Sequence, residues 1–151
     1  PPRSTLFPYT TLFRSLYGFI TGVASTAIAR RLHKKFHLSG LNLTIEQWGV
    51  LYHLWKQDGI SQQDLCNATF RDKPSMTRLV DNLEKAELVK RVASKDDRRK
   101  NLVILTQKAQ DIQDLCYALA DETVDEALVG VDDKKIEMCK EVLKVVYENL
   151  A

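Results

Sequence analysis

Two neighbouring stretches decide the fold: Ser75-Met76-Thr77-Arg78-Leu79-Val80-Asp81-Asn82-Leu83-Glu84-Lys85-Ala86-Glu87-Leu88-Val89-Lys90-Arg91, and Asp97-Arg98-Arg99-Lys100-Asn101-Leu102-Val103-Ile104-Leu105-Thr106. In the first, Met76, Leu79, Val80 and Leu83 recur at helical spacing, so they form the buried stripe of a helix. The period then changes. Val89, Arg91 and Ala93 alternate with Lys90 and Val92, the polar turn Ser94 to Lys100 follows, and Asn101 to Leu105 is a β-branched run. Two strands around a charged loop make a hairpin.

Upstream, Asp72 and Pro74 open that helix, because proline is tolerated in a first turn. Ser61 caps a short helix from Gln62 to about Ala68, with Asp64 at its third position. Thr44 and Gln47 form a capping box for a helix carrying Trp48, Leu51, Tyr52, Leu54 and Trp55, which Asp58-Gly59 closes. The first helix carries Leu16, Phe19, Ile20, Val23, Ala24, Ala27, Ile28, Arg31 and Leu32 on one face and runs to about Phe36, where Ser39-Gly40 ends it. Downstream, Thr106 caps a long helix through Ala109, Ile112, Leu115, Cys116, Leu119, Val124 and Leu128. Gly130 and Asp132 break it, and Ile136, Cys139, Val142, Leu143, Val146 and Leu150 mark a last helix.

The order predicts a mainly α fold with a small β-hairpin wing. It is a winged helix-turn-helix domain over 44–106, flanked by dimerisation helices at 16–43 and 107–151. Residues 1–15 hold three of the four prolines and the echo Thr5-Leu6-Phe7, Thr11-Leu12-Phe13. The string resembles translated sequencing adapter, so the segment is expected to be non-native; the alternative is a genuine proline-containing arm.

With 151 residues, 44% hydrophobic and 28% charged, the chain suits one globular domain, or one domain plus an arm. No apolar run approaches the roughly 20 residues of a membrane span, and no signal-peptide pattern is read, so a cytoplasmic protein with no membrane partner is expected. The net charge of +2 is unevenly spread. Residues 71–100 hold ten Lys/Arg against six Asp/Glu, net +4, and residues 101–151 hold five against eleven, net −6. A basic middle points to an anionic partner.

Duplex DNA fits that partner. A recognition helix enters the major groove with its N-terminal residues nearest the base edges. Here those residues are Lys73, Ser75, Thr77 and Arg78, with Met76 turned inward. Ser and Thr hydroxyls bond phosphate or base, and Arg78 can fork onto guanine. Ser61, at the start of the preceding helix, joins the set. The wing offers Lys95, Arg98, Arg99 and Lys100, and an arginine at a hairpin tip suits a narrow minor groove.

The two opening stretches resemble the MarR family of bacterial regulators. The resemblance covers Leu43 to Gln110 through its motifs and the flanking helices by pattern. Asp97 to Thr106 fits the family's D-x-R-x-x-x-[IV]-x-L-T wing signature. One departure is Ala86, where the family usually has glycine; the helix is expected to run on to Glu87. The resemblance implies a homodimer paired through the first and last helices on a palindromic operator. It also implies that Arg99 is inserted into the minor groove with Asp97 holding it. Finally, it implies a small aromatic ligand between the dimerisation helices and the winged domain, where Trp48, Tyr52 and Trp55 would line the cleft.

Other residues point elsewhere. His33 and His37, at i and i+4, could face one metal ion with His53 approaching, but no acidic ligand accompanies them and no metal site is expected. The three cysteines form no CxxC, so neither a disulfide framework nor zinc is expected. Cys116 and Cys139 sit on apolar stripes as buried packing. Cys66, near Arg71 and Lys73, leaves open a redox-sensing regulator of the same fold. The resembled family's peroxide sensors keep their cysteine in the first helix, where this chain has none. A winged-helix protein-interaction module is the other alternative, and the basic wing argues against it. No nucleophile–base pair, metal triad or phosphate-binding glycine loop is visible, so neither an enzyme nor a cofactor is expected.

Overall fold

The structure, a computed structural model, describes residues 11–94 and 101–150, with side chains from Tyr17 onward. Helix α1 spans Thr11–Leu38, beginning five residues before the apolar pattern starts at Leu16. It ends as Ser39-Gly40 requires. Gly40 takes a φ of 75°, its N–H donates to His37 O at 3.1 Å, and Leu41 N–H donates to Phe36 O at 2.9 Å. This paired closure needs a left-handed residue, which glycine adopts without strain. Leu32 and Phe36 enter the core, whereas Phe19, Ile20 and Val23 stay exposed.

Helix α2, Ile45–Lys56, starts at the expected capping box. Thr44 Oγ1 accepts from Gln47 N–H, and the Gln47 side chain accepts from Thr44 N–H. Val50, Leu51 and Leu54 are fully buried. A two-residue strand β1, Ile60–Ser61, follows, then α3, Gln62–Thr69, and α4, Lys73–Lys85. The hairpin is β2, Val89–Ala93, and β3, Asn101–Leu105, in register from Val89 opposite Leu105 to Ala93 opposite Asn101.

Strand β1 was not expected. It pairs with β3 on the side away from β2, with Ile60 opposite Val103, and completes a three-stranded antiparallel sheet. Two residues carry no period, so pattern cannot reveal such a strand. Asp58 fixes the pairing, since one carboxylate oxygen accepts from Gly59 N–H at 2.8 Å and from Leu105 N–H at 2.9 Å.

Met76, Val80 and Leu83 of α4 are buried as read from the sequence, with Leu79 partly covered against them. The end of α4 differs from expectation. The helix stops at Lys85, Ala86 stays right-handed, and Glu87 takes the left-handed position with φ 60°. Glu87 N–H donates to Glu84 O, and Leu88 N–H donates to Leu83 O, both at 2.9 Å. No glycine is needed at Ala86, because the unusual conformation falls one residue later.

The long helix after the wing is two. Thr106 caps α5, Gln107–Asp111, and α6 resumes at Gln113–Ala127. At the break, the Ala109 carbonyl accepts the indole N–H of Trp55 at 3.2 Å. A side chain inserted into the backbone ladder is an identifiable cause of a kink. Gly130, at φ 79°, turns the chain into α7, Asp133–Leu150, none of whose residues is buried. Cys139 is exposed there, contrary to the expectation of burial, because no residue of α7 enters the core; among the described residues the helix's one ring contact is Tyr147 edge-on to Phe70 at 5.6 Å. Among the described residues no helix is long and apolar enough to cross a membrane.

Candidate nucleic-acid interface

Helix α4 has two chemically distinct sides. Met76, Val80 and Leu83 point into the core, and Lys73, Thr77 and Arg78 lie exposed on the other side. Ser75 is half-buried. The helix begins at Asp72, whose carboxylate accepts from Ser75 N–H at 2.7 Å. That bond to the Ser75 backbone, then the Ser75 hydroxyl and nearby Arg78 and Arg71, hold the Asp72 carboxyl below its ordinary range. Ser61 works mainly for α3. Its hydroxyl accepts from Asp64 N–H at 3.1 Å and donates to the Asp64 carboxylate at 2.6 Å. Lys95, Asp97, Arg98, Arg99 and Lys100 lie outside the described residues, as does the Asp97–Arg99 pairing.

Two residues that sequence reasoning missed stand behind this surface. Gln62 opens α3, and its amide nitrogen donates to Thr77 Oγ1 at 2.7 Å. Arg91, on β2, pairs with Asp81 at 2.8 Å and with Glu84, both on α4. Its backbone N–H also donates to Glu84 at 2.9 Å, and Nη2 lies 3.4 Å from Gln62 Oε1 and 3.5 Å from Thr77 O. With 22% of its side chain exposed, Arg91 ties the wing's root to both helices of the helix-turn-helix. The available signal was the acidic pair Asp81 and Glu84 one turn apart on α4, with an unassigned arginine on the adjacent strand.

The aromatic residues form a row through the junction of α1, α2 and α6. Phe36 meets Trp48 at 6.3 Å between ring centres, Trp48 meets Tyr52 at 5.6 Å, Tyr52 meets Tyr117 at 6.2 Å, and Tyr117 meets Trp55 at 5.5 Å. Tyr117, contributed by α6, completes the row. Trp55 spends its N–H on Ala109, while the buried indole N–H of Trp48 has no partner among the described residues. A crevice of about 470 Å³ between α1 and the start of α2 is lined by Ser25, Ala29, Arg30, His33, Thr44 and Ile45, among others.

Cys66 and Cys116 are buried in the core, and burial pushes the Cys116 thiol up to about 11. Among the described residues no three His, Cys, Asp or Glu side chains gather to hold a metal ion. His53 contacts Tyr52 edge-on at 5.6 Å, and burial, then the nearby Lys56 charge, lowers its pKa.

Comparison with known proteins meets this geometry. The MarR family profile matches residues 39–100, the span from the end of α1 to the wing. The HTH-type transcriptional regulator MhqR of Bacillus subtilis (strain 168) is 30% identical over 126 residues, covering 83% of this chain and 86% of that protein. Two crystal structures share the fold. A MarR transcriptional regulator from Methanosarcina mazei Go1 superposes with a TM-score of 0.81 at 23% identity, over 89% of this chain and 96% of that one. CouR from Rhodococcus jostii RHA1, bound to p-coumaroyl-CoA, gives 0.75 at 23% identity, over 85% and 90%. The chain belongs to the MarR family of winged helix-turn-helix, DNA-binding transcription regulators.

Proposed function

We propose that this protein represses transcription as a homodimer bound to a palindromic duplex site, and that a small aromatic ligand releases it. The observation that carries the reading is the division of α4. Its apolar side is consumed by the core, while Lys73, Thr77 and Arg78 are presented on a rigid, capped helix. Those are the residue types that bond phosphate and base edges. The wing residues Lys95, Arg98, Arg99 and Lys100 add contacts to the minor groove or phosphates, with Asp97 orienting Arg99. Ser75 joins at the helix start, and Ser61 contributes from the cap of α3.

The exposed apolar positions of α1 and α7 support pairing of two chains, which would set two recognition helices roughly 34 Å apart along the duplex. The half-buried row of Trp48, Tyr52, Trp55 and Tyr117 and the unpartnered Trp48 indole favour an aromatic ligand carrying a hydrogen-bond acceptor. The ligand held by CouR, a protein of the same fold, is consistent with that class.

Two arginine variants test the DNA reading. Arg78→Ala should weaken the cognate duplex more than a scrambled one, since a bidentate base contact discriminates by roughly 1–3 kcal/mol. Arg99→Ala should weaken both by a similar factor and lower the log–log salt slope by roughly 1.8 for the two lost phosphate contacts of a dimer. Binding isotherms at several salt concentrations on both duplexes decide it. No effect from either substitution would remove the winged helix as the reading element.

A further inference from the structure

Thr77 occupies an exposed place on the recognition helix, but its hydroxyl is not free to rotate without cost. Thr69 and Thr123 show the usual alternative for helical threonines, donating to the carbonyl one turn back at 2.6 and 2.7 Å. Thr77 instead accepts a hydrogen bond from the side chain of Gln62 at 2.7 Å. Which end of the Gln62 amide faces Thr77 follows from Arg91. A guanidinium carries only donors, so the amide edge beside Arg91 Nη2 must be the oxygen. The amide nitrogen is then left for Thr77. Arg91 is itself held by Asp81 and Glu84, so the order of donors and acceptors is anchored at both ends.

We propose that Gln62 and Arg91 set the polarity of Thr77, so that Thr77 reads DNA as a hydrogen-bond donor and selects a base whose major-groove edge presents an acceptor. Gln62 occupies the hydroxyl oxygen on the side facing α3, which leaves its proton available to the groove. Guanine through O6 or N7, adenine through N7 and thymine through O4 satisfy such a donor, while the exocyclic amines of cytosine and adenine do not. Gln62 and Arg91 are positioning residues: neither needs to touch the duplex. The inference rests on the reading of α4 as the DNA-contacting helix.

The test starts from duplexes that the full-length protein selects from a random double-stranded library. Binding isotherms are then measured for that duplex and its single-base-pair substitutions, using the parent, Thr77→Val, Gln62→Glu, Gln62→Met and the Thr77→Val/Gln62→Glu double variant. The parent should show one position per half-site where replacing the acceptor-bearing base costs about fivefold, the size of one net hydrogen bond. Thr77→Val and Gln62→Met should flatten that position alone. Gln62→Glu keeps a favourable partner for Arg91, so folding is retained, but it turns the relay round. Thr77 must then donate to the new carboxylate and accept from DNA, and the preference at that position should shift toward a base presenting an amine.

In the double variant, Gln62→Glu should alter base preference no further, although its added negative charge lowers affinity for every duplex alike. The proposal is overturned if Gln62→Glu keeps the parent's preference at every position, whatever the uniform loss of affinity, or still alters base preference when Thr77 is valine. Failure of the parent to enrich any duplex over random competitor would sink the DNA reading itself, which is a separate result.

Discussion

Single residues in this protein matter most where they break a local rule. Glu87 sits at φ 60° with its side chain 83% exposed, closing α4 ahead of the wing. A left-handed conformation costs a non-glycine residue about 1–2 kcal/mol, and glycine's extra freedom in the unfolded chain offsets roughly half of that. Glu87→Gly should therefore raise stability by about 0.5–1 kcal/mol, whereas Glu87→Ala keeps the strain and should not. Denaturant midpoints of the three proteins at equal concentration check this, and a destabilised glycine variant would contradict it. Buried Cys66 illustrates the reverse. Its neighbours Arg71 and Lys73 are basic, but the thiol packs inside the core. A reactive cysteine needs access as well as charge.

At the scale of elements, the junction of α1 with α6 is secured by charge at its rim. Arg31 bonds Glu126 at 2.6 Å, and Lys35 reaches Glu122 at 2.9 Å and Glu126 at 3.0 Å. Hydrogen bonds from Arg31, then Lys35, bring the Glu126 carboxyl down to about 2. A depressed carboxyl adds stability that is complete above the ordinary carboxylate range and disappears as pH falls through the folded value. Glu126→Gln should thus be less stable than the parent at neutral pH, and the gap should close on acidification toward pH 2. The pair is exposed, so the neutral-pH gap should be small and should shrink further in high salt. A gap that widened on acidification would refute the assignment. The same junction joins a helix read as a dimerisation arm to one that follows the wing through α5.

For the whole molecule, the apolar surface left open is the informative feature. Phe19 is 67% exposed on α1, and Met138, Val142, Leu143 and Val145 are exposed along α7. Monomeric proteins rarely leave such stretches uncovered, and two-fold pairing buries the same patch on both copies. Sedimentation at micromolar concentration should give twice the 17.3 kDa chain mass. Leu143→Glu should shift the protein toward monomer and reduce binding to a two-half-site duplex much more than to a single half-site. A parent that sediments as a monomer would remove the dimer from the proposed mechanism.

What the sequence determined by itself was local. Caps at Thr44, Ser61, Asp72 and Thr106, the stop at Gly40, the buried stripe of α4 and the change to strand period all follow from interactions within a few residues, so short windows contain them. The wing signature also made the family legible. Tertiary structure alone decided the strand at Ile60–Ser61, the break at Ile112, the place of Tyr117 beside Trp55, and the Gln62–Thr77–Arg91 relay. These contacts join residues 14 to 62 positions apart, and no local period encodes which distant donor meets which acceptor. The apolar faces of α1 and α7 lie beyond both. Their stripes were visible in the sequence as periodicity, and only packing shows which positions, such as Phe19 and Val23 on α1 and Val142 and Leu143 on α7, stay open among the described residues.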